Sequence, residues 1–217
     1  MTLLGQFALW VAFLIGSFGA VLSFSGRWQD RPDLERTVIR SVYALAAALL
    51  VASLSLWKGL FAHDFNIEYV AAYTSRNLPT YYIVSAFWAG QKGSLLFWAV
   101  VLACFSAVAQ WITARRYADL LPYVAGVTNI VVVFFVLVMI FAANPFERLN
   151  FIPEDGRGLN PQLQNIGMVM HPPMLYLGYI SVTIPFAFAI AALLRRRLDS
   201  GWIVAIRKWT LVSWVFL

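Results

Sequence analysis

The sequence predicts an all-α fold, a polytopic membrane helix bundle with five complete transmembrane helices, a sixth only begun, and the N-terminus outside. Three observations lead there. Of 217 residues, 61% are hydrophobic and 12% charged, whereas soluble domains run to about 45–50% apolar and about 25% charged. The apolar residues gather into five runs of 20 to 23 residues, and a helix needs about 20 such residues to cross the hydrocarbon. The arginines and lysines fall unequally on the two faces those runs define.

The elements follow in order. Span one is Leu3–Phe24; without basic residues before it or a small-residue cleavage pattern after it, it reads as a retained helix. Span two is Thr37–Trp57. A long segment, 58–93, follows, with Asn77-Leu78-Pro79 ending one element. Tyr81 to Ala89 is too short to span and reads as an interfacial helix. Gly90-Gln91-Lys92-Gly93 is a break, and Ser94 is the expected N-cap of span three, Ser94–Thr113. Span four, Leu121–Ala143, carries Asn129, a candidate interhelical hydrogen bond. A second long segment, 144–172, leads to span five, Pro173–Leu194, where Pro185 is a candidate kink. A sixth run starts near Trp209, nine residues before Leu217. A helix stopping inside hydrocarbon leaves its last carbonyls unpartnered, so the chain reads as the N-terminal part of one longer membrane domain, or a piece of a split protein. Cys104 is the sole cysteine, which rules out an internal disulfide or a CxxC pair; mid-span, it reads as a small packing residue.

Charge sets the orientation. The loops after spans one, three and five hold eleven basic residues, the opposite face five, while the acidic residues divide five and five. The positive-inside rule makes the first face cytoplasmic, so 58–93 and 144–172 lie outside. Nothing in the pattern suggests nucleic acid. Segments beyond about 12–15 residues tend to be functional or disordered, and the aromatic residues and turn chemistry of these two favour order. Trp57, Trp88 and Trp111, near span ends, suit interfacial belts.

The candidate site is His171, followed by Pro172-Pro173. Proline fits the first helical turn and pushes its predecessor toward extended geometry. His171 is therefore expected on a stiff extended segment over a helix N-terminus, whose partial positive charge favours the neutral imidazole that a metal or heme iron requires. Met168, Met170, Met174, Tyr176 and Tyr179 surround it, and Arg148 and Arg157 are candidate partners for heme carboxylates. Arg76 and the Gly90–Gly93 break are expected to line a site above the bundle. The plainer alternatives remain open: a capped turn with a solvated imidazole at His171, and an amphipathic packing segment with a glycine hinge at Gly90–Gly93. His63, beside Asp64, reads as a solvated surface histidine.

The strings YVAAYTSRNLPTYY, WAGQKGSLLFW, NPFERL and EDGRGLNPQLQNIGMVMHPPMLYLGY occur in this order. They resemble the N-terminal third of the CcmF family of cytochrome c maturation proteins, within the heme-handling group that includes CcmC, CcsA and the nitrite-reductase assembly relative NrfE. The resemblance covers nearly all of 40–217. It implies a role in joining heme b to the CXXCH motif of apocytochrome c at the periplasmic face of the bacterial inner membrane. It also implies partners: the heme chaperone CcmE, CcmH, in many bacteria CcmI, and apocytochrome c. The family's outward histidine before paired prolines falls on His171 as an axial heme ligand, and its outer glycine turn falls on Gly90 to Gly93. The family's WGxxWxWD signature, its partner axial histidine and its two membrane-embedded histidines have no counterpart in this sequence, so the chain alone is expected to supply half a heme site and to be inactive by itself. The other readings are a heme transport subunit and a scaffold for assembly partners.

Overall fold

The computed structural model describes residues 2–197 and 199–217. Among them are nine α-helices and one 3₁₀ turn, Pro161–Leu163. Helices α1 (Thr2–Phe24), α2 (Pro32–Phe61), α5 (Gln91–Thr113) and α6 (Leu121–Phe141) are each long and apolar enough to cross a membrane, and so is the stretch Ile166–Leu194. That last stretch is two helices, α7 (Ile166–Ser181) and α8 (Thr183–Leu194), broken at Val182. Pro185 accounts for the break, because it has no N–H to offer the carbonyl four residues earlier. Two short helices, α3 (Glu68–Tyr73) and α4 (Thr80–Ala89), lie between α2 and α5, and α9 (Gly201–Phe216) follows α8.

Helix α1 packs along α2 and α6, α2 also meets α5, α8 lies on α6, and α9 lies on α7 and α8. Small residues bring α1 close to its neighbours: Gly5, Ala8, Ala12, Gly16, Gly19 and Ser23 are all buried. A Cβ on Gly19 would stand 2.2 Å from Ser41 Oγ and 2.5 Å from Asn129 Nδ2. Those two groups are themselves paired, Asn129 Nδ2 donating to Ser41 Oγ at 2.9 Å. Asn129 is thus the interhelical tie its place in an apolar run suggested; lipid offers a buried amide no partner, so it finds one on another helix. Cys104 is half-buried against the core.

The chain's long connections share one end of the bundle, here the loop side. It holds the start of α1, residues 62–90 and residues 142–165, as shown by Arg148, whose guanidinium bonds the Thr2 hydroxyl. Among the described residues α4 is not a free surface element: it packs against α2, α5 and α7 and buries Ile83, Ala86 and Phe87.

Four boundary expectations are corrected. The sixth run, expected to start near Trp209, is helical from Gly201. Span three starts at Gln91 with Gly90 as N-cap, so Ser94 lies inside the helix and its hydroxyl bonds Trp88 O at 2.8 Å. Span two runs from Pro32, because proline suits a helix start. Span five starts at Ile166, seven residues before Pro173, because Asn165 is a better N-cap than any residue nearer the prolines: its Oδ1 accepts from Met168 N at 3.0 Å.

Candidate functional site

Capping by Asn165 changes how His171 is presented. The imidazole is not on an extended segment: His171 is the sixth residue of α7, and Pro172 and Pro173 lie inside the helix. A helix end acts mainly within its first turn, so the expected dipole effect on the imidazole is weak. The prolines deprive the carbonyls of Met168 and Val169 of their usual donors, at a point where the chain leaves the loop side. His171 is exposed there, as are Met170 and Met174.

Beside it runs an aromatic trough made of two adjoining cavities. One, of about 200 Å³, is lined by Ser85, Trp88, Leu159, Met168, Pro172 and Tyr176, among others. The other, of about 370 Å³, shares Trp88, Ala89 and Tyr176 with it and adds Gly90, Ser94 and Trp98. Met168, Pro172 and Tyr176 are four residues apart, so one stripe of α7 forms a wall; His171, one residue before Pro172, lines neither cavity. The Tyr176 ring rests on Trp98 at 5.3 Å and Phe97 at 6.1 Å. Tyr179, three residues on, is exposed and lines neither cavity. The indole N–H of Trp88 is buried, with no acceptor among the described residues.

The glycines work behind this wall. Gly90 faces the Tyr73 ring, and Gly93 is pressed against Phe87 O and the Tyr69 hydroxyl. Tyr69 is 1% exposed; its hydroxyl donates toward Ala86 O at 2.9 Å and accepts from Gly90 N at 3.1 Å. Burial raises its pKa well above the ordinary tyrosine value, so it stays a neutral pin joining α3 to the end of α4.

The two long connections form one cap. Ile67 and Arg148 make an antiparallel bridge, with Glu68 N donating to Glu147 O and Leu149 N to Asn66 O, both at 2.9 Å. Farther on, Arg157 N donates to Ala71 O at 2.7 Å and Gly158 N to Thr74 O at 3.1 Å. Lys92 Nζ bonds the carboxylates of Glu68 and Glu147, the latter at 2.7 Å. This ammonium holds the Glu147 carboxyl below the usual carboxylate range.

Asp155 closes the cap by accepting from Arg76 N at 2.9 Å and Gly156 N at 2.7 Å. The Arg76 amide above all lowers its pKa. A depressed carboxyl contributes stability above its unfolded pKa and loses it as pH falls through the folded value. Acidification below the ordinary aspartate value of 3.8 should therefore release the Arg76 and Gly156 amides first. Hydrogen exchange of those two amides, followed from neutral pH downward, checks this; protection that outlasts the rest of the cap would contradict it.

The predicted site residues thus separate. Pro172, Tyr176 and Gly90 line the trough; Arg157 lines a different cavity of about 280 Å³ with Glu68, Phe151 and Asp155; Arg76 serves the cap through its backbone. Arg148 faces Thr2, at the start of α1. His63 is not simply solvated: it is half-buried at φ 48°, stacked on Phe65 at 5.9 Å, with Nδ1 buried and unpartnered among the described residues. No cluster of three metal-ligating side chains occurs among the described residues. Sequence reasoning missed Trp88, Trp98, Ser85 and Leu159 as trough walls. Trp88 was legible only as an amphipathic ring at a span end.

The family model described as "Cytochrome C assembly protein" matches residues 88–217, from Trp88 through the whole α7 wall. The chain is 36% identical over 215 residues to the cytochrome c-type biogenesis protein CcmF of Haemophilus influenzae, covering 99% of this chain and 33% of that protein. It is 40% identical over 175 residues to CcmF of Escherichia coli K12, covering 80% and 26%. A solved structure titled "Cytochrome c Heme Lyase CcmF" superposes with a TM-score of 0.82 at 29% identity, over 99% of this chain and 34% of that one. The chain therefore spans about a third of the length of the relatives it matches. With that match running through α5, α6 and the helix that carries His171, the chain belongs to the cytochrome c assembly protein family.

Proposed function

We propose that this chain takes part in cytochrome c maturation, as part of a membrane assembly that receives heme b and presents it for covalent attachment to the CXXCH cysteines of apocytochrome c. The observation that carries the proposal is the trough of Trp88, Met168, Pro172 and Tyr176, walled by the same helix that carries the exposed His171. Thioether and aromatic walls suit a flat apolar macrocycle, and a neighbouring imidazole suits its iron. Heme supplies vinyl groups to the cysteines; this chain's residues hold and orient it. His171 would be one axial ligand, Trp88 and Tyr176 would bear on the ring, and the second ligand would come from outside the chain. The relatives' names support the same role: they are cytochrome c-type biogenesis proteins, and the solved structure is titled a heme lyase.

The excess of basic residues on the face opposite the loop side supports placing the trough at the periplasmic surface of the bacterial inner membrane. There the cap and trough would meet the heme chaperone CcmE, CcmH, in many bacteria CcmI, and apocytochrome c. Heme titration of the protein in detergent tests the reading. His171→Ala should abolish the absorbance of ligated heme, and Met170→Ala, also exposed, should leave it intact. Equal spectra for wild type and His171→Ala would end the proposal.

A further inference from the structure

Arg148 is far from a spare cation. Its backbone is fixed by the bridge to Ile67, and its guanidinium reaches α1, where Nε donates to Thr2 Oγ1 at 2.7 Å. A hydroxyl orients a guanidinium but does not neutralise it, and among the described residues Arg148 forms no ion pair. Next door, the Glu147 carboxylate is occupied by Lys92. Lys92 is shared with Glu68, so among the described residues Arg148 is the cation of this corner that holds no carboxylate of its own.

The corner is also hollow. A cavity of about 470 Å³ lies between the start of α1 and the end of α6, lined by Gln6, Phe141, Asn144, Arg148 and the Lys92-bound Glu147, among others. Asn144 spends its Oδ1 on Phe146 N at 2.9 Å, which leaves its amide N–H groups free. Gln6 Nε2 holds Phe146 O only loosely, at 3.5 Å. The lining thus offers N–H donors from three side chains. Behind them Phe146 is fully buried, and its ring is packed against Gly5. Apolar groups flank the mouth. Phe141 is 73% and Phe7 67% exposed, and Trp10 meets Phe141 edge-on at 5.9 Å. In a chain with five candidate spans, such rings at helix ends belong where acyl chains meet headgroups.

We propose that this cavity is a phospholipid site, in which Arg148, with the amides of Gln6 and Asn144, binds the headgroup phosphate while Phe141 and Trp10 bear on the acyl chains. Guanidinium and phosphate match in shape and charge. The shared chemistry is a phosphate oxyanion, but the apolar flank selects a lipid over the free ion. The site stands apart from the trough and does not depend on the heme reading.

The test is native mass spectrometry of the detergent-purified protein titrated with phosphatidylglycerol, diacylglycerol and inorganic phosphate. Wild type should retain phosphatidylglycerol, release diacylglycerol, and keep its lipid in excess inorganic phosphate. Arg148→Gln should bind about tenfold more weakly, as loss of a charged hydrogen-bond donor predicts. Gln6→Ala should weaken binding to a smaller degree, and serves if Arg148→Gln does not fold. Arg157→Gln, a cation of the same cap lining another cavity, should bind as wild type. Displacement by inorganic phosphate, or equal retention by wild type, Arg148→Gln and Gln6→Ala, would overturn the site.

Discussion

Gly93→Ala should destabilise the protein by about 3 kcal/mol, the upper range for inserting a methyl group into a packed interior. The new Cβ would lie 2.1 Å from Phe87 O, 2.3 Å from Tyr69 Oη and 2.6 Å from its ring. Neither neighbour yields easily. Phe87 O belongs to the last turn of α4, and Tyr69 is held by Ala86 O and Gly90 N. Relief requires α4 to move off α5, which breaks the tyrosine's bonds and shifts Trp88. Thermal unfolding in detergent measures the loss. Because Trp88 lines the trough, heme affinity should fall with it while His171 remains in place. A wild-type melting temperature would refute the tight α4–α5 contact.

Gly156→Ala should have a comparable effect at a different place. Its Cβ would meet Thr74 O at 2.0 Å and Ala71 O at 3.0 Å. Those two carbonyls accept the Gly158 and Arg157 amides that fasten the second connection to the first. The methyl group therefore opposes both hydrogen bonds, and with the turn at Asp155 lost, the expected cost is about 2–3 kcal/mol. The loss should be local. Limited proteolysis should cut the variant within 150–160, where wild type resists, while the spans stay folded. Cleavage patterns identical to wild type would refute this account.

The bundle was legible because hydrocarbon imposes a strict rule on sequence: a spanning helix must be long and apolar. Leu121 was read as the start of span four and is the start of α6; Phe24 ends both span one and α1. Asn129 and Pro185 declared themselves as exceptions in apolar runs. Helix starts on the loop side were harder. The prolines after His171 outweighed Asn165 in the reading, although a capping amide at a helix start costs little and prolines are tolerated a turn or more inside. Gly90-Gln91-Lys92-Gly93 read as a break throughout, whereas Gly90 alone is the break. The glycine at 93 answers to Tyr69, a residue 24 positions away, and no local pattern announces such a contact. Tyr176 was visible as a candidate, whereas Trp88 and Trp98 were not. Nor was the separation of Arg148 and Arg157 from the trough, because it depends on how the two connections cross.

The bridge between Ile67 and Arg148 also bears on biogenesis. Its halves are separated in the chain by α5 and α6, one crossing away from the loop side and one returning. The ribosome finishes the first half long before the second exists, so the clasp can shut only after that hairpin has inserted with both ends correctly placed. A hairpin left half inserted would strand residue 148 across the bilayer from residue 67. Closure is thus a late event that reports correct insertion, and the open cap beforehand is what a quality-control protease would meet.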